Sequence, residues 1–205
     1  MTENEILDPA AAAALMRQTQ IHSLHALKVR TPLLYAVWGS AWLLGLGGMW
    51  LSVRGQQPYR GPSGAASATL GVLLFGAAIV TAIIVVRAAR GVGGNSETQG
   101  RMYGLSWPIG FASLFAIQGA LARQDASNEV MGVMGAAGPI LVTALIYLVG
   151  AAIWHEWSMF YLGAWLALVA GVGAWTGPAN LLLVGAIAGG GGFLLAAALT
   201  RRQRP

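Results

Sequence analysis

Six long apolar runs, separated by short basic or acidic stretches, dominate this chain of 205 residues. None of the six runs carries an ionisable side chain in its interior. A helix of about 20 apolar residues is long enough to cross the hydrocarbon core of a bilayer. The pattern therefore predicts an all-α fold, a polytopic membrane bundle of six transmembrane helices.

The composition leaves no room for a separate soluble domain. Only 9% of the residues are charged, whereas about 25% are charged in a typical soluble domain. The net charge of +5 resides mainly in the breaks between apolar runs, where basic residues orient helices rather than bind nucleic acid. Cysteine is absent, which excludes disulfides and thiolate metal sites.

The predicted organisation has an arm, a membrane domain and a tail. Residues 1–31 form the arm, residues 32–200 the six-helix domain, and residues 201–205 a basic cytoplasmic tail. Pro108 falls in the first turn of the third predicted span, and Pro139 is expected to kink the fourth. The spans are expected at about 33–53, 67–89, 105–122, 131–153, 158–176 and 179–200.

The N-terminal arm has the pattern of an amphipathic helix. Asp8-Pro9 is a helix start, and Thr31-Pro32 predicts a break before the first span. Its partly amphipathic apolar positions are Leu15, Ile21, Leu24 and Leu27. We expect this helix to lie on the cytoplasmic leaflet, and a solvated helical tail is the alternative.

The distribution of basic residues predicts the orientation. With a cytoplasmic N-terminus, nine Lys and Arg residues fall on the inner side and three on the outer side. Such a bias is typical of cytoplasmic loops. Both termini are therefore expected to be cytoplasmic.

Few polar residues interrupt the spans, and three of them are candidates for a pathway or gate. The amide of Gln118 needs a partner on another helix or in a cavity. His155 and Glu156 lie in the inner turn between Trp154 and Trp157. They could form a gate or a proton entry point, or simply a polar turn between aromatic anchors in which Glu156 caps the fifth span.

Glycines in the last span predict close helix packing. Gly185 and Gly189 have the spacing that lets a second helix approach its backbone, and Gly190, Gly191 and Gly192 follow. The alternatives are a dimer seam, a flexible break near a pathway, or ordinary packing within the bundle. Consecutive glycines also weaken a helix by about 1 kcal/mol each relative to alanine, which favours local unwinding.

No constellation of an enzyme or a cofactor site is apparent. Gly61-Pro62-Ser63-Gly64 matches the nucleophile motif of rhomboid proteases, but no histidine is predicted near Ser63 in the membrane. His22 and His25 share a helix face, yet two ligands are too few for a metal. We therefore expect no catalytic, cofactor-binding or metal-binding residues, and no nucleic-acid partner.

The segment Leu33-Leu34-Tyr35-Ala36-Val37-Trp38-Gly39-Ser40-Ala41-Trp42-Leu43-Leu44-Gly45 resembles a family of uncharacterised actinobacterial membrane proteins that are loosely labelled transporters. The resemblance implies a bacterial plasma membrane and no particular substrate. The bundle with its arm also loosely resembles a half of an ABC-2-type permease, which implies a cytosolic ATPase partner. This chain departs from that pattern because it is short and only Thr176-Gly177-Pro178 joins its last two spans.

Two functions remain open from the sequence. The first is a small-molecule transport component, passive or energised by a partner, because intramembrane carboxylates for ion coupling are absent. The alternative is a non-transporting membrane scaffold or sensor subunit. Candidate partners are the lipid bilayer, a second copy of the chain, and a cytosolic ATPase or another membrane subunit.

Overall fold

A computed structural model describes the backbone of residues 9–88 and 95–202, and the side chains of residues 31–88 and 97–202. Within these ranges the chain is helical apart from short connections, and it contains no strand. A π-helical segment, Gly185–Gly190, separates the last two helices. The helices are α1 (Pro9–Val53), α2 (Gly64–Ala88), α3 (Asn95–Arg123), α4 (Asn128–Trp154), α5 (Trp157–Ala174), α6 (Pro178–Val184) and α7 (Gly191–Arg202).

Six stretches of the described chain are long and apolar enough to cross a membrane. This confirms the predicted all-α bundle of six spans and gives the chain the architecture of a multi-pass membrane protein. α6, the π-helical segment and α7 together form the sixth span. The spans are Thr31–Val53, Gly64–Ala88, Glu97–Arg123, Asn128–Trp154, Trp157–Ala174 and Pro178–Arg202.

Two helix boundaries differ from those that the sequence predicted. α1 continues without interruption through Pro32, so the break predicted at Thr31-Pro32 is wrong. A proline removes one backbone hydrogen bond, and the turns on either side of it remain bonded. The amphipathic face predicted for residues 1–31 involves side chains before Thr31, which lie outside the described residues.

The third span begins earlier than expected. α3 starts at Asn95 rather than near residue 105, so Pro108 lies inside the helix and not in its first turn. The polar first turns contain an ion pair of 2.8 Å between Glu97 and Arg101. Charged pairs at this spacing support a helix, so α3 begins before the apolar run that was expected to start near residue 105.

α1, α4, α5 and the sixth span form the inner bundle, and the remaining two helices lie at its periphery. Among the described helices, α2 makes close backbone contact with α1 alone, and α3 with α4 alone. Only 11% of the apolar window of α2 and 6% of that of α3 is buried, against 50% for α4. Most of the surface of α2 and α3 therefore faces outward.

Short connections make consecutive helices run in alternate directions, which gives the bundle two distinct ends. The loop end carries the connections 54–63, 124–127 and 175–177. There Tyr59 packs so closely on α4 that a methyl group on Gly132 would lie 2.5 Å from its ring. The opposite end, here called the basic end, carries Arg87, Arg101, Arg201 and Arg202.

The basic bias predicts that the loop end faces outward, and cysteine labelling tests this orientation. A cysteine at Ser63 or Ser127 should react with an impermeant thiol reagent added to intact cells, whereas one at Ser96 should react only after permeabilisation. The chain has no cysteine of its own, so each label reports one position. The reverse labelling pattern would overturn the predicted orientation.

Candidate functional site: the seam between α3 and α4

One stripe of α3 faces α4, and it runs from the basic end to the loop end. Trp107, Phe111, Leu114, Gln118 and Leu121 follow one another at alternating spacings of four and three residues, which places them on one helix face. Leu114 is 5% exposed. It packs so closely on α4 that a methyl group on Gly138 would lie 2.7 Å from Leu114 Cδ1. We call the contact of this stripe with α4 the seam.

Gln118 is the single polar residue of the stripe. Its Nε2 atom donates a hydrogen bond of 3.3 Å to the backbone carbonyl of Met134 on α4. The partner on another helix that the sequence predicted for this amide is therefore present. No described donor reaches the Oε1 atom of Gln118, which leaves one hydrogen-bond acceptor at the seam.

Toward the loop end, the seam opens into a groove. The groove has a volume of about 480 Å³ and apolar walls. The exposed side chain of Glu129 is the one ionisable group in its lining. The lining residues are Leu121, Glu129, Val130, Val133, Met134, Ala137, Gly177 and Pro178.

Toward the basic end, interlocked aromatic rings close the seam. The ring of Trp107 stacks on Trp38 of α1 at 6.5 Å between centroids and meets Tyr147 of α4 edge-on at 6.1 Å. Tyr147 in turn contacts Phe193 of α7 at 5.7 Å. We call this set of rings the aromatic cluster: Tyr35, Trp38, Tyr103, Trp107, Tyr147, Trp154 and Phe193.

The groove and the aromatic cluster share one face of α4. Val133 lines the groove, and Ile140 and Tyr147 follow it at intervals of seven residues, close to two helical turns. Ile140 is 2% exposed, so it separates the groove from the rings. Sequence analysis did not find the aromatic cluster, although the spacing of the α3 stripe was a signal that could have indicated it.

His155 and Glu156 form the turn between α4 and α5 at the basic end. His155 is exposed and adopts a left-handed conformation, with φ of 53°, as the C-cap of α4. Glu156 occupies the N-cap position of α5, but its side chain makes no capping hydrogen bond. Glu156 therefore occupies the cap position that the sequence allowed, without a capping hydrogen bond from its carboxylate.

The carboxylate of Glu156 faces the inner bundle instead. The Oγ atom of Ser158 donates to Glu156 Oε1 at 3.1 Å, and the phenol oxygen of Tyr35 lies 3.5 Å from the same Oγ. These two contacts join a half-buried carboxylate to a ring of the aromatic cluster. His155 makes no described side-chain hydrogen bond in this chain of contacts.

The structure places Gly185 and Gly189 inside the bundle. A methyl group on Gly185 would lie 3.0 Å from Leu46 of α1, and one on Gly189 would lie 3.0 Å from the ring of Trp42. Ordinary packing within the bundle thus accounts for both glycines. Their segment is π-helical, which is the local departure from an α-helix that consecutive glycines permit.

The closest backbone approach involves glycines that sequence analysis did not single out as contacts. A methyl group on Gly190 would lie 2.8 Å from the backbone nitrogen of Leu43, and one on Gly39 would lie 2.9 Å from the carbonyl oxygen of Gly190. Backbone atoms of α1 and the π-helical segment therefore touch. The spacing rule for glycines identified the correct region but not the residues in closest contact.

The π-helical segment also receives a hydrogen bond from α5. The indole Nε1 of Trp165 donates to the carbonyl oxygen of Ala188 at 2.8 Å, and its ring covers Gly192. We expect Trp165→Phe to lower the free energy of unfolding by about 1 kcal/mol, because it removes this donor and keeps an aromatic ring. Unfolding in mixed detergent micelles measures the effect.

Trp175→Phe provides the matched control for this substitution. Trp175 is 92% exposed, and we expect its replacement to leave the free energy of unfolding almost unchanged. An equal loss of stability in the two variants would contradict a specific role for the bond to Ala188.

Comparison of the chain with known proteins finds no matching family model, no matching curated protein and no matching solved structure.

Proposed function

We propose that this protein is a membrane transport component whose solute route follows the seam. In this proposal the groove receives the solute at the loop end, Gln118 contacts it on the way, and the aromatic cluster is the closed gate at the basic end. The loop end faces outward in a bacterial plasma membrane, and both termini are cytoplasmic, in line with the basic bias of the sequence.

The observation that carries the proposal is the order of residues along the α3 stripe. Leu121 lines an open groove, Gln118 presents a free acceptor, and Trp107 belongs to a set of closely packed rings. An opening at one end, a polar group beside it and a closure at the other end are the parts that a gated route requires. Conformational change at the rings would complete the route.

The route as proposed uses neutral groups within the membrane. The described spans contain no carboxylate in their apolar interior, and most ion-coupled carriers need one there. Transport is then passive or energised by a partner. The loose resemblance to ABC-2-type permeases indicates a cytosolic ATPase, which would contact the connection between α2 and α3, near Glu97.

Solute flux in proteoliposomes tests the gate. We expect Trp107→Ala to increase the leak of small fluorescent solutes at least tenfold over wild type, because the stacked closure against Trp38 is lost. Phe75→Ala is the matched control, since Phe75 lies on α2 with 69% of its surface exposed. Equal leak from the two variants would contradict a gate at Trp107.

The same liposomes test the neutral route. An imposed proton gradient should not drive accumulation in the wild type. Accumulation that Glu156→Gln abolishes would refute the neutral route and make Glu156 the coupling group at the membrane edge. Accumulation that requires a copurified ATPase would support the partner-energised form.

A second candidate function is a scaffold or sensor subunit of a larger membrane assembly. The observation that favours it is the small buried fraction of α2 and α3, 11% and 6%, since both helices offer extended outer faces to a second copy or another subunit. Copurification from native membranes distinguishes the two functions. A bound ATPase favours transport, whereas a kinase or other regulator without solute flux favours the sensor.

A further inference from the structure

We infer that the groove binds a lipophilic organic cation, a compound with an apolar body and one positive charge. This inference names the substrate class of the seam and so rests on the proposed function.

The shape and walls of the groove fit an apolar body of the size of a small organic compound. Its volume of about 480 Å³ lies within the range of small-molecule pockets, about 300–1,000 Å³. Val130, Val133, Met134 and Ala137 on α4 form one apolar wall, with Leu121 of α3 opposite. Methionine adapts to ligands of different shape, so the body need not be of one kind.

The one ionisable residue at the groove is acidic. Glu129 is among the residues that line the groove, its side chain is exposed, and within the described residues it makes no ion pair. The nearest basic residue along α3 is Arg123, two positions after Leu121. Its position on α3 lies about 200° around the helix axis from that of Leu121, which lines the groove. A cation therefore finds at the rim a carboxylate that no described side chain neutralises.

The other polar groups along the route are also suited to a cation. The amide nitrogen of Gln118 is engaged by Met134, which leaves its oxygen as an acceptor. Farther along the route, Trp107 and Tyr147 pack against each other in the aromatic cluster, and their ring faces would attract a cation once the gate opens. Glu129 would repel an anion at the groove, and a lipid acyl chain would fill the walls without using Glu129.

Binding of two related dyes to the full chain in nanodiscs tests the inference. Rhodamine 6G is a lipophilic cation, and rhodamine B shares its ring system but carries a compensating carboxylate. By fluorescence polarisation we expect saturable binding of rhodamine 6G that is at least tenfold tighter than that of rhodamine B. Equal binding of the two dyes would overturn the inference, because it would mean that apolar contact alone holds them.

Variants of the two acceptors locate the site. Glu129→Gln should weaken the binding of rhodamine 6G at least tenfold, and Gln118→Met should weaken it several-fold. Glu97→Gln is the matched control, because Glu97 is an exposed carboxylate near the basic end that pairs with Arg101. We expect this control to bind within twofold of wild type. An unchanged affinity in Glu129→Gln would overturn the inference.

The binding assay separates this inference from the proposed function. Binding that depends on Glu129, with no flux of rhodamine 6G into proteoliposomes, would support the cation site and refute the transport role. Flux of neutral solutes through Trp107→Ala, with no Glu129-dependent binding, would support the route and refute the substrate class.

Discussion

Gly190→Ala should lower the free energy of unfolding by about 3 kcal/mol, at the upper end of what overpacking costs. The added methyl group would lie 2.8 Å from the nitrogen of Leu43 and 2.9 Å from the oxygen of Gly39. Both are backbone atoms, so no side-chain rotation relieves the clash. α1 must move away from the π-helical segment, and the packing around it is then lost. Unfolding in mixed detergent micelles measures the loss.

The next residue along the chain provides the control. A methyl group on Gly191 meets nothing within 4 Å, and alanine is favoured over glycine in a helix by about 1 kcal/mol. Gly191→Ala should therefore be neutral or slightly stabilising. If both variants lost stability equally, the general weakening of a glycine-rich helix, and not the contact with α1, would explain the effect.

Phe193→Ala should be the most damaging truncation in the aromatic cluster, with a loss of about 3 kcal/mol or more in the free energy of unfolding. Phe193 is 1% exposed, and its ring contacts Tyr35, Trp42 and Tyr147 at centroid distances of 5.4–6.3 Å. Removing it leaves a cavity between α1, α4 and α7. The free energy of unfolding falls mainly because dispersion contacts are lost, since helix packing in lipid gains little from the hydrophobic effect.

Phe75→Ala is the matched truncation at the periphery. Phe75 is 69% exposed on α2, where lipid replaces the ring after truncation. We expect its free energy of unfolding to remain within about 1 kcal/mol of wild type. A loss equal to that of Phe193→Ala would mean that the outer face of α2 is covered, as the assembly-subunit function requires.

The aromatic residues show why sequence analysis recovered part of the seam and missed the rest. Gln118 was identified because an amide in an apolar run is conspicuous and must find a partner. Trp154 was interpreted as an aromatic anchor of the inner turn, and Trp107 also lies at the depth where tryptophan usually has that role. Their contacts with Tyr103 and with rings on α1 and α4 depend on how the helices are placed, and no local pattern in the sequence encodes that placement.

Proline and glycine also show that a local sequence pattern does not fix the details of the backbone. Thr31-Pro32 predicted a break because the residue before a proline disfavours the helical conformation, yet α1 continues through it. Gly185 and Gly189 marked the correct region of the last span, but the backbone contact was formed by Gly39 and Gly190. Which glycine meets the neighbouring helix depends on the rotation and the π-helical register of that helix, and these are set by packing.

The sequence by itself determined the six spans, since hydrocarbon length and the need to satisfy backbone hydrogen bonds leave a long apolar run few alternatives to a helix. The tertiary structure alone decided that α2 and α3 lie at the periphery, that a groove opens beside Glu129, and that rings from four helices close the other end of the seam. Spanning a bilayer is a property of each helix and can be inferred locally. The order in which helices pack results from the complementarity of side chains that are distant in sequence, which only the assembled bundle brings together.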